Sequence, residues 1–289
     1  DRRSGDVCPR RFRLGKRKLD EAGPYCLVTP MSLVRIIEDT FFSVCRCWGG
    51  LQNAFDCFGP VRAMQTGIGS ADLNMVWSEV PLTREDAPWV RQVQEYYERV
   101  SLPYWWWVFP RAKTAETIQL LKSSDYTYLL SMPCMLADVS KLPSKKPRKT
   151  SLTIRQVGSR QDLALWKEVT FAGFDFPQSD RASYDRFTGA FPLDPGSSQK
   201  VFLALDGGKP VAASLLFLAG DAAGLYFITT LGDYRRRGIG RELVLATLQH
   251  ARAAGARFAS LQSSPDGMSV YEKAGFKECC RVDIYGSQY

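Results

Sequence analysis

The sequence predicts an α+β protein whose mixed β-sheet is flanked by helices and whose chain divides into two halves. The chain has 289 residues, while a typical domain has about 150. Its composition, 45% hydrophobic and 24% charged, is that of a globular protein and excludes a fibrous or largely disordered chain. Two prolines and five cations within residues 141–151 cannot pack into a core, so we predict a linker there.

The first half alternates between helical and extended patterns. Apolar residues recur at helical spacing from Leu33 and stop before Gly49 and Gly50, which end helices. Thr83 precedes an acidic turn and therefore marks a second helix start. In order, the predicted elements are a helix at 31–48, a strand at 73–77, a helix at 88–100, an aromatic extended run at 104–109, a helix at 114–123 and a strand at 126–132.

The second half is predicted to contain a three-stranded meander followed by a long helix. Asp206, Gly207, Gly208 and Lys209 form a strong turn signal between apolar runs, and we expect another turn at 221–224. In order, the predicted elements are a strand at 152–157, helices at 161–171 and 180–187, strands at 200–205, 211–218 and 225–231, a helix at 238–254, a strand at 257–261, a helix at 268–274 and a strand at 276–285.

The net charge of +8 is concentrated outside the predicted cores. Residues 1–20 and 141–150 each carry a net charge of +5, so a basic tail and a basic linker account for it. Charge in such segments is weak support for nucleic-acid binding, and we expect no nucleic-acid partner. The longest nearly apolar stretch is about half of the roughly 20 residues that span a bilayer, so we expect no membrane partner.

The eight cysteines indicate neither a disulfide framework nor a metal site. Cys45 and Cys47 are too close for the usual zinc spacing, and the adjacent Cys279 and Cys280 make a poor disulfide. The basic N-terminal stretch has no apolar core of a secretory signal. We therefore expect reduced thiols, no metal and a cytoplasmic location.

The most informative stretch lies where the third strand of the meander leads into the long helix. Its sequence is Thr-Leu-Gly-Asp-Tyr-Arg-Arg-Arg-Gly-Ile-Gly-Arg over 230–241. Free backbone N–H groups at a helix start, the positive end of the helix dipole and glycines that permit close approach together form a phosphate cradle. The stretch lacks the patterns of a nucleotide P-loop and of a dinucleotide-binding loop. The alternative is a solvated basic loop.

Two blocks of sequence resemble the GNAT superfamily of N-acetyltransferases. The first is Arg235-Arg-Arg-Gly238-Ile-Gly240, which matches the family pattern of Arg or Gln, two residues, Gly, one residue, and Gly or Ala. The second runs from Ser263 to Phe276 and ends in Tyr-Glu-Lys-Ala-Gly-Phe. The resemblance covers about 151–289 and implies a GNAT-like acyltransferase fold for that half.

The resemblance implies that the second half binds acetyl-CoA as a cosubstrate. Pantetheine would pair along the backbone of one strand, the diphosphate would lie over the start of the long helix, and Tyr271 would donate a proton to the departing sulfur. Arg235 and Arg241 would add charge-assisted hydrogen bonds to phosphate. The residues expected to contact acetyl-CoA are Ile228, Thr229, Thr230, Arg235, Arg236, Arg237, Gly238, Ile239, Gly240, Arg241 and Ser264.

A general base is not evident from the sequence. An amine with a pKa of about 10.4 must lose a proton before it attacks, yet the strand over 225–231 carries no carboxylate. Asp175, Asp180 and Asp221 are the nearest candidates, and each fits a turn or cap better. A water relay or an acceptor of low amine pKa would serve instead.

Other reactive or aromatic residues are interpreted as structural. His250 lies near the C-terminal end of the long helix, where an imidazole favours the dipole. Trp105, Trp106 and Trp107 would alternate faces of a strand, which suits burial on both sides better than a platform for bases. We interpret Gly67-Ile68-Gly69 as a loop because no helix pattern follows it.

Residues 72–76 and 131–137 resemble pieces of a degenerate acetyltransferase half. With this resemblance, four segments are expected: a basic flexible tail at 1–26, a degenerate acetyltransferase-like α+β domain at 27–140, the linker at 141–151 and an acetyl-CoA-binding domain at 152–289. The hypothesis for the first domain is that it lines one side of the acceptor cleft. The predicted function is transfer of an acetyl group to a primary amine of a small molecule. The alternatives are a non-catalytic acyl-CoA sensor and a nucleic-acid-binding protein. Oligomeric state does not follow from the sequence, and a homodimer is compatible with it.

Overall fold

The fold comes from a computed structural model, which describes residues 29–142 and 152–287. The predicted tail, most of the linker, Cys8 and Cys26 lie outside the described residues. The helices are α1 (Pro30–Leu51), α2 (Ala87–Val100), α3 (Ala115–Ser123), α4 (Arg160–Gly173), α5 (Arg181–Gly189), α6 (Ile239–Ala253) and α7 (Met268–Lys273). The strands are β1 (Phe55–Phe58), β2 (Val61–Met64), β3 (Met75–Ser78), β4 (Trp105–Val108), β5 (Tyr126–Asp138), β6 (Leu152–Gln156), β7 (Gln199–Asp206), β8 (Lys209–Ala219), β9 (Ala222–Thr230), β10 (Phe258–Gln262) and β11 (Lys277–Ser287).

All eleven strands form one mixed sheet in the order β1-β2-β3-β4-β11-β5-β10-β9-β8-β7-β6. This confirms the predicted fold class, a mixed sheet flanked by helices. The two halves exchange their last strands: β11 inserts between β4 and β5, and β5 pairs with β10. The halves are therefore joined by a continuous hydrogen-bonded ladder.

The same pattern of strand pairing occurs twice along the chain. In the first half β2 is antiparallel to β3, and β3 is parallel to β4 after the crossover helix α2. In the second half β8 is antiparallel to β9, and β9 is parallel to β10 after the crossover helix α6. In each half, the second parallel strand then pairs with an antiparallel strand from the opposite half: β4 with β11, and β10 with β5. The starts of α2 and α6 thus occupy equivalent positions.

Three hydrophobic clusters hold the helices to the sheet. One face carries a single cluster shared by both halves, where Phe41 of α1 and Trp166 of α4 belong to the same core. The other face carries two clusters, one beneath α6 around Leu243 and one beneath α2 around Val93. Trp106 and Trp107 fall in clusters on opposite faces, as their alternation predicts. A layer of helices therefore covers each face of the sheet.

Three predictions about elements are wrong in detail. The prediction omits the hairpin of β1 and β2. The Gly59-Pro60 pair between alternating residues was a usable turn signal for it. Gly59 takes a φ of 54° in this turn. The strand predicted at 126–132 continues to Asp138, because β10 and β11 pair with its second part. The turn expected at 221–224 is displaced, because Gly220 makes it with a φ of 65° and residues 222–224 pair with β10.

The described ranges also contain six cysteines and the single histidine of the chain. The six cysteines within 29–142 and 152–287 are free thiols. His250 lies in the last turn of α6, and its ring centroid is 4.7 Å from that of Phe202. Among the helices in those two ranges, none is both long and apolar enough to span a membrane.

Candidate active site

The site begins with a gap between two parallel strands. The strands β9 and β10 pair only where Ala222, Ala223 and Gly224 meet Phe258, Ala259 and Ser260. Beyond these three pairs, β9 continues to Thr230 and β10 to Gln262 without further pairing between them. The edge of β9 that faces β10 therefore has backbone groups free for another extended chain.

A bulge in β9 re-aims the side chains beside this gap. Phe227 has a φ of 49°, and the pairing of β9 with β8 shifts register between Ala213 and Leu215. As a result, Tyr226 and Phe227 both pack against the core that carries α1 and α4, whereas Ile228 packs against the core beneath α6.

The start of α6 presents unpaired amide groups. Gly238 is its N-cap with a φ of 81°, and no side chain caps the helix there. The first amide to bond back is that of Glu242, which donates to the Gly238 carbonyl at 3.1 Å. Between Leu231 and Glu242, all of which is described, the amides of 236–241 have no backbone acceptor. Together with the positive helix dipole, this is an anion-binding geometry.

Two glycines let the flanking helices approach β9 from opposite faces. A Cβ on Gly240 would lie 3.3 Å from the Thr230 hydroxyl, on the side of α6. Gly173 is the last residue of α4, and a Cβ on it would overlap with the Thr229 side chain. The gap is therefore a slot through the sheet that runs from the start of α6 to the end of α4.

A cavity of about 930 Å³ occupies this slot. Its lining contains all but one of the residues predicted to contact acetyl-CoA, and it also contains Tyr271. The exception is Arg237, whose guanidinium carbon lies 5.1 Å from the Tyr234 ring centroid. The roles of these residues in binding and catalysis stay predictions.

The arginines at this helix start are held in different ways. Arg235 Nε donates to the Thr230 carbonyl at 3.0 Å, which ties the loop to the end of β9. Arg241 Nε donates to the Lys273 carbonyl at 3.2 Å, which ties α6 to α7. Arg236 has a φ of 61° and is exposed. The cationic side chains thus surround the open amides.

Tyr271 lies on α7 with its ring beside Gly267. A Cβ on Gly267 would be 2.8 Å from that ring, so a larger residue there would displace it. Burial raises the pKa of Tyr271 to about 12, because a phenolate would lose its hydration. The hydroxyl is consequently protonated at neutral pH and can act as a proton donor.

Several lining residues were missed by sequence reasoning. They are Gly173, Phe174, Tyr234, Asp266, Gly267, Ser269, Val270 and Lys273. Those from Asp266 to Lys273 lie within the second block that was singled out, so its helix was a usable signal. Gly173 and Phe174 lie about 50 residues before the start of β9 in sequence, and no spacing pattern connects them to it.

The candidate general bases lie apart from one another. Asp175 is exposed just after α4 and has a φ of 56°. Asp180 lies 2.9 Å from the position of a Cβ on Gly69, in contact with the first half. The Asp221 carbonyl accepts from Arg257 and Phe258 at the closed end of the β9 and β10 pair. None of the three lines the cavity, and among the described lining residues Asp266 carries the one carboxylate.

The cavity offers no cluster of metal ligands. Within the described ranges, no group of three or more His, Cys, Asp or Glu side chains could hold a metal ion. The unpaired amides and guanidinium groups fit an anionic ligand instead.

Comparison with known proteins places this geometry in a family. Residues 164–276 match the model of the acetyltransferase (GNAT) family. The match contains β9, α6, β10 and α7, which are the elements around the cavity. No curated protein matches the sequence.

Solved structures extend the similarity in fold to the first half. A GCN5-related N-acetyltransferase from Kribbella flavida is 16% identical, with a TM-score of 0.67 over 87% of this chain and 96% of that one. Another from Sphaerobacter thermophilus is 16% identical, with a TM-score of 0.59 over 79% of this chain and 76% of that one. At such identities the similarity shows the fold alone. With the match of residues 164–276, we conclude that this chain contains a GNAT-family acetyltransferase domain.

Proposed function

We propose that the protein transfers an acetyl group from acetyl-CoA to a primary amine of a small molecule, through direct attack in a ternary complex. The observation that carries the proposal is the slot between β9 and β10, with unpaired helix amides at one end and a protonated tyrosine beside it. A pantetheine arm is an extended chain with amide groups, so it suits the free edge of β9.

In this proposal the start of α6 holds the diphosphate. The amides of 236–241 would donate to its oxygens, and Arg235 and Arg241 would add charge-assisted hydrogen bonds. The arm would then run beside Thr230, Thr229 and Ile228, which brings the thioester to the bulge at Phe227.

The chemical step needs one proton to leave and one to arrive. The neutral amine nitrogen attacks the thioester carbonyl carbon, and a carbon–nitrogen bond forms as the carbon–sulfur bond breaks. The departing sulfur takes a proton from the Tyr271 hydroxyl, which solvent then replenishes. The proton lost by the amine passes to water, because Asp266 is exposed and is the one carboxylate in the described lining.

The first half of the chain contributes to the region beside the bulge. Trp48 of α1 has its ring centroid 5.4 Å from that of Tyr226 and 5.6 Å from that of Phe227. Its indole N–H donates to Gln199 Oε1 at 2.8 Å. These contacts support the hypothesis that the first half forms one wall of the acceptor cleft.

The alternative function is a sensor that binds an acyl-CoA ester without turnover. We would measure thiol release from acetyl-CoA with a panel of primary amines, together with the thermal shift caused by acetyl-CoA. Amine-dependent thiol release supports the enzyme. A thermal shift without release from any amine would refute the enzyme and leave the sensor.

A further inference from the structure

The wall of the slot at the end of α4 is aromatic and partly exposed. Phe174, the residue after α4, lines the cavity and is 42% exposed. It lies next to Gly173, which contacts Thr229, so it is on the face of the sheet opposite the start of α6.

Phe174 is anchored from behind by other aromatic rings. Its ring meets that of Phe227 edge to face, with centroids 5.9 Å apart and planes at 88°. The Phe176 ring is 6.0 Å away and in turn lies 5.2 Å from the buried Tyr184 ring. The exposed edge of Phe174 is therefore the outer part of a packed cluster that reaches the bulge, which makes it a fixed surface for another ring.

The two ends of the slot differ in charge. The cations of the lining, Arg235, Arg236, Arg241 and Lys273, belong to α6, its preceding loop and α7. Near Phe174, the carboxylates of Glu168 and Asp185 are both paired with Arg181, and Asp185 also with Lys167. The described lining at that end thus offers an apolar surface and no carboxylate, and the exposed Asp175 next to Phe174 lies outside that lining.

We propose that the acceptor is an amine carried on a short linker from an aromatic ring, and that Phe174 selects it by contact with that ring. The inference rests on the proposed function, since it assigns the acceptor of the same slot. A ring against Phe174 would place a nearby amino group beside Phe227, where the thioester would end. An apolar surrounding disfavours the ammonium form and lowers the amine pKa, which supplies the free base without a protein carboxylate.

The test compares three acceptors with the full-length protein: 2-phenylethylamine, n-hexylamine and 1,4-diaminobutane. Thiol release from acetyl-CoA gives kcat/KM for each. We expect a preference of about tenfold for 2-phenylethylamine over n-hexylamine, which corresponds to about 1.4 kcal/mol and lies within the range for a ring contact beyond its buried area. Phe174→Ala should reduce that ratio to about one to two, with an unchanged KM for acetyl-CoA.

Two further variants control for folding and for loss of apolar surface. Phe174→Leu keeps an apolar side chain without a ring, so its ratio should also fall while its melting temperature stays near that of the wild type. Leu165→Ala removes another exposed apolar side chain of α4, one that is 40% exposed and outside the cavity lining, and should leave the ratio unchanged.

The outcomes separate this inference from the proposed function. Thiol release with a ratio below two, or a ratio that survives Phe174→Ala, overturns the aromatic acceptor and leaves the acetyltransferase. If Phe174→Ala impairs benzoyl-CoA as donor but leaves the amine ratio intact, the ring surface serves the acyl group and the inference is wrong. Absence of release with every amine overturns both.

Discussion

The starts of α2 and α6 occupy equivalent positions in the two halves, yet they treat their backbone amides in opposite ways. Each helix is the crossover between two parallel strands, β3 and β4 in one half and β9 and β10 in the other. At α6, a glycine N-cap and arginines leave the amides of 236–241 open to an anion. A turn of 3-10 helix over Arg84–Asp86 leads into α2, and carboxylates of the protein accept hydrogen bonds from the amides of that turn and its cap.

Two carboxylates accept hydrogen bonds at the 3-10 turn Arg84–Asp86, which leads into α2. The Thr83 amide donates to Asp86 Oδ2 at 2.9 Å in a capping box, and the Arg84 amide donates to Glu116 Oε1 at 3.3 Å. Pro88 removes a further N–H from the first turn. Asp86 and Glu116 thus take the place that a phosphate would need, and their negative charge would repel one.

The residue before Thr83 also has its backbone groups satisfied within the protein. Leu82 is fully buried. Its amide donates to the Thr117 hydroxyl at 2.8 Å, and that hydroxyl donates to the Leu82 carbonyl at 3.1 Å. The comparison shows that two crossover helices in equivalent positions differ in whether the amides at their start are open to an anion. The same topology with a capped first turn contributes stability instead.

The largest effect should come from closing the start of α6 with a carboxylate. Gly238→Asp places a negative charge among the amides and requires a side chain at a φ of 81°. We expect affinity for acetyl-CoA to fall by about 100-fold or more, since like charges in contact cost several kcal/mol. Isothermal titration calorimetry measures this affinity in the wild type and the variant. Gly220→Asp, at another positive φ with open space around it, is the matched control and should bind normally.

Removal of the tyrosine hydroxyl beside the slot should affect turnover rather than binding. Tyr271→Phe is expected to lower kcat by about 100-fold or more while the KM for acetyl-CoA changes by less than about twofold, as for loss of a general acid. Because the pKa of Tyr271 is raised to about 12, the wild-type rate should show no alkaline loss from this group below about pH 10. A decline centred near pH 8 that disappears in Tyr271→Phe would contradict the assignment, and the exposed Tyr128→Phe serves as control.

A substitution at the start of α2 should show the reverse behaviour. Thr83→Ala removes the capping oxygen, so we expect a loss of about 1 kcal/mol in the free energy of unfolding and unchanged affinity for acetyl-CoA. For a chain of this size the melting temperature should fall by about 2–4 °C. Thr153→Ala on the exposed face of β6 is the control. Weakened acetyl-CoA binding in Thr83→Ala would break the comparison between the two helices.

The sequence alone was sufficient to predict those features of the structure that depend on neighbouring residues. The turn at Gly207 and Gly208, the helix start at Gly238 and the alternation of Trp106 and Trp107 follow from backbone freedom and periodicity, and the structure has all three. The resemblance to acetyltransferases followed from two short blocks, 235–240 and 263–276. These features depend on residues within about ten positions of each other.

The exchange of β5 and β11 could not be predicted in this way. Whether a terminal strand pairs within its own half or with the other depends on contacts far apart in sequence, such as Cys134 opposite Cys280. Phe174 was missed for the same reason, because only the packing of α4 against β9 brings it to the slot. Local patterns carry no information on either.

The smallest effect should distinguish between neighbouring arginines that the sequence pattern treats alike. Arg235 lines the cavity and is tied to Thr230, whereas Arg237 lies over the Tyr234 ring and is outside the lining. We expect Arg235→Ala to weaken acetyl-CoA binding by about fivefold, the upper range for an exposed charge contact, and Arg237→Ala by less than about twofold. Titration at low and high salt measures both, and the Arg235 effect should shrink as salt rises. Equal losses for the two variants would mean that the helix start attracts its ligand by net charge alone, because only a specific contact depends on which arginine faces the slot.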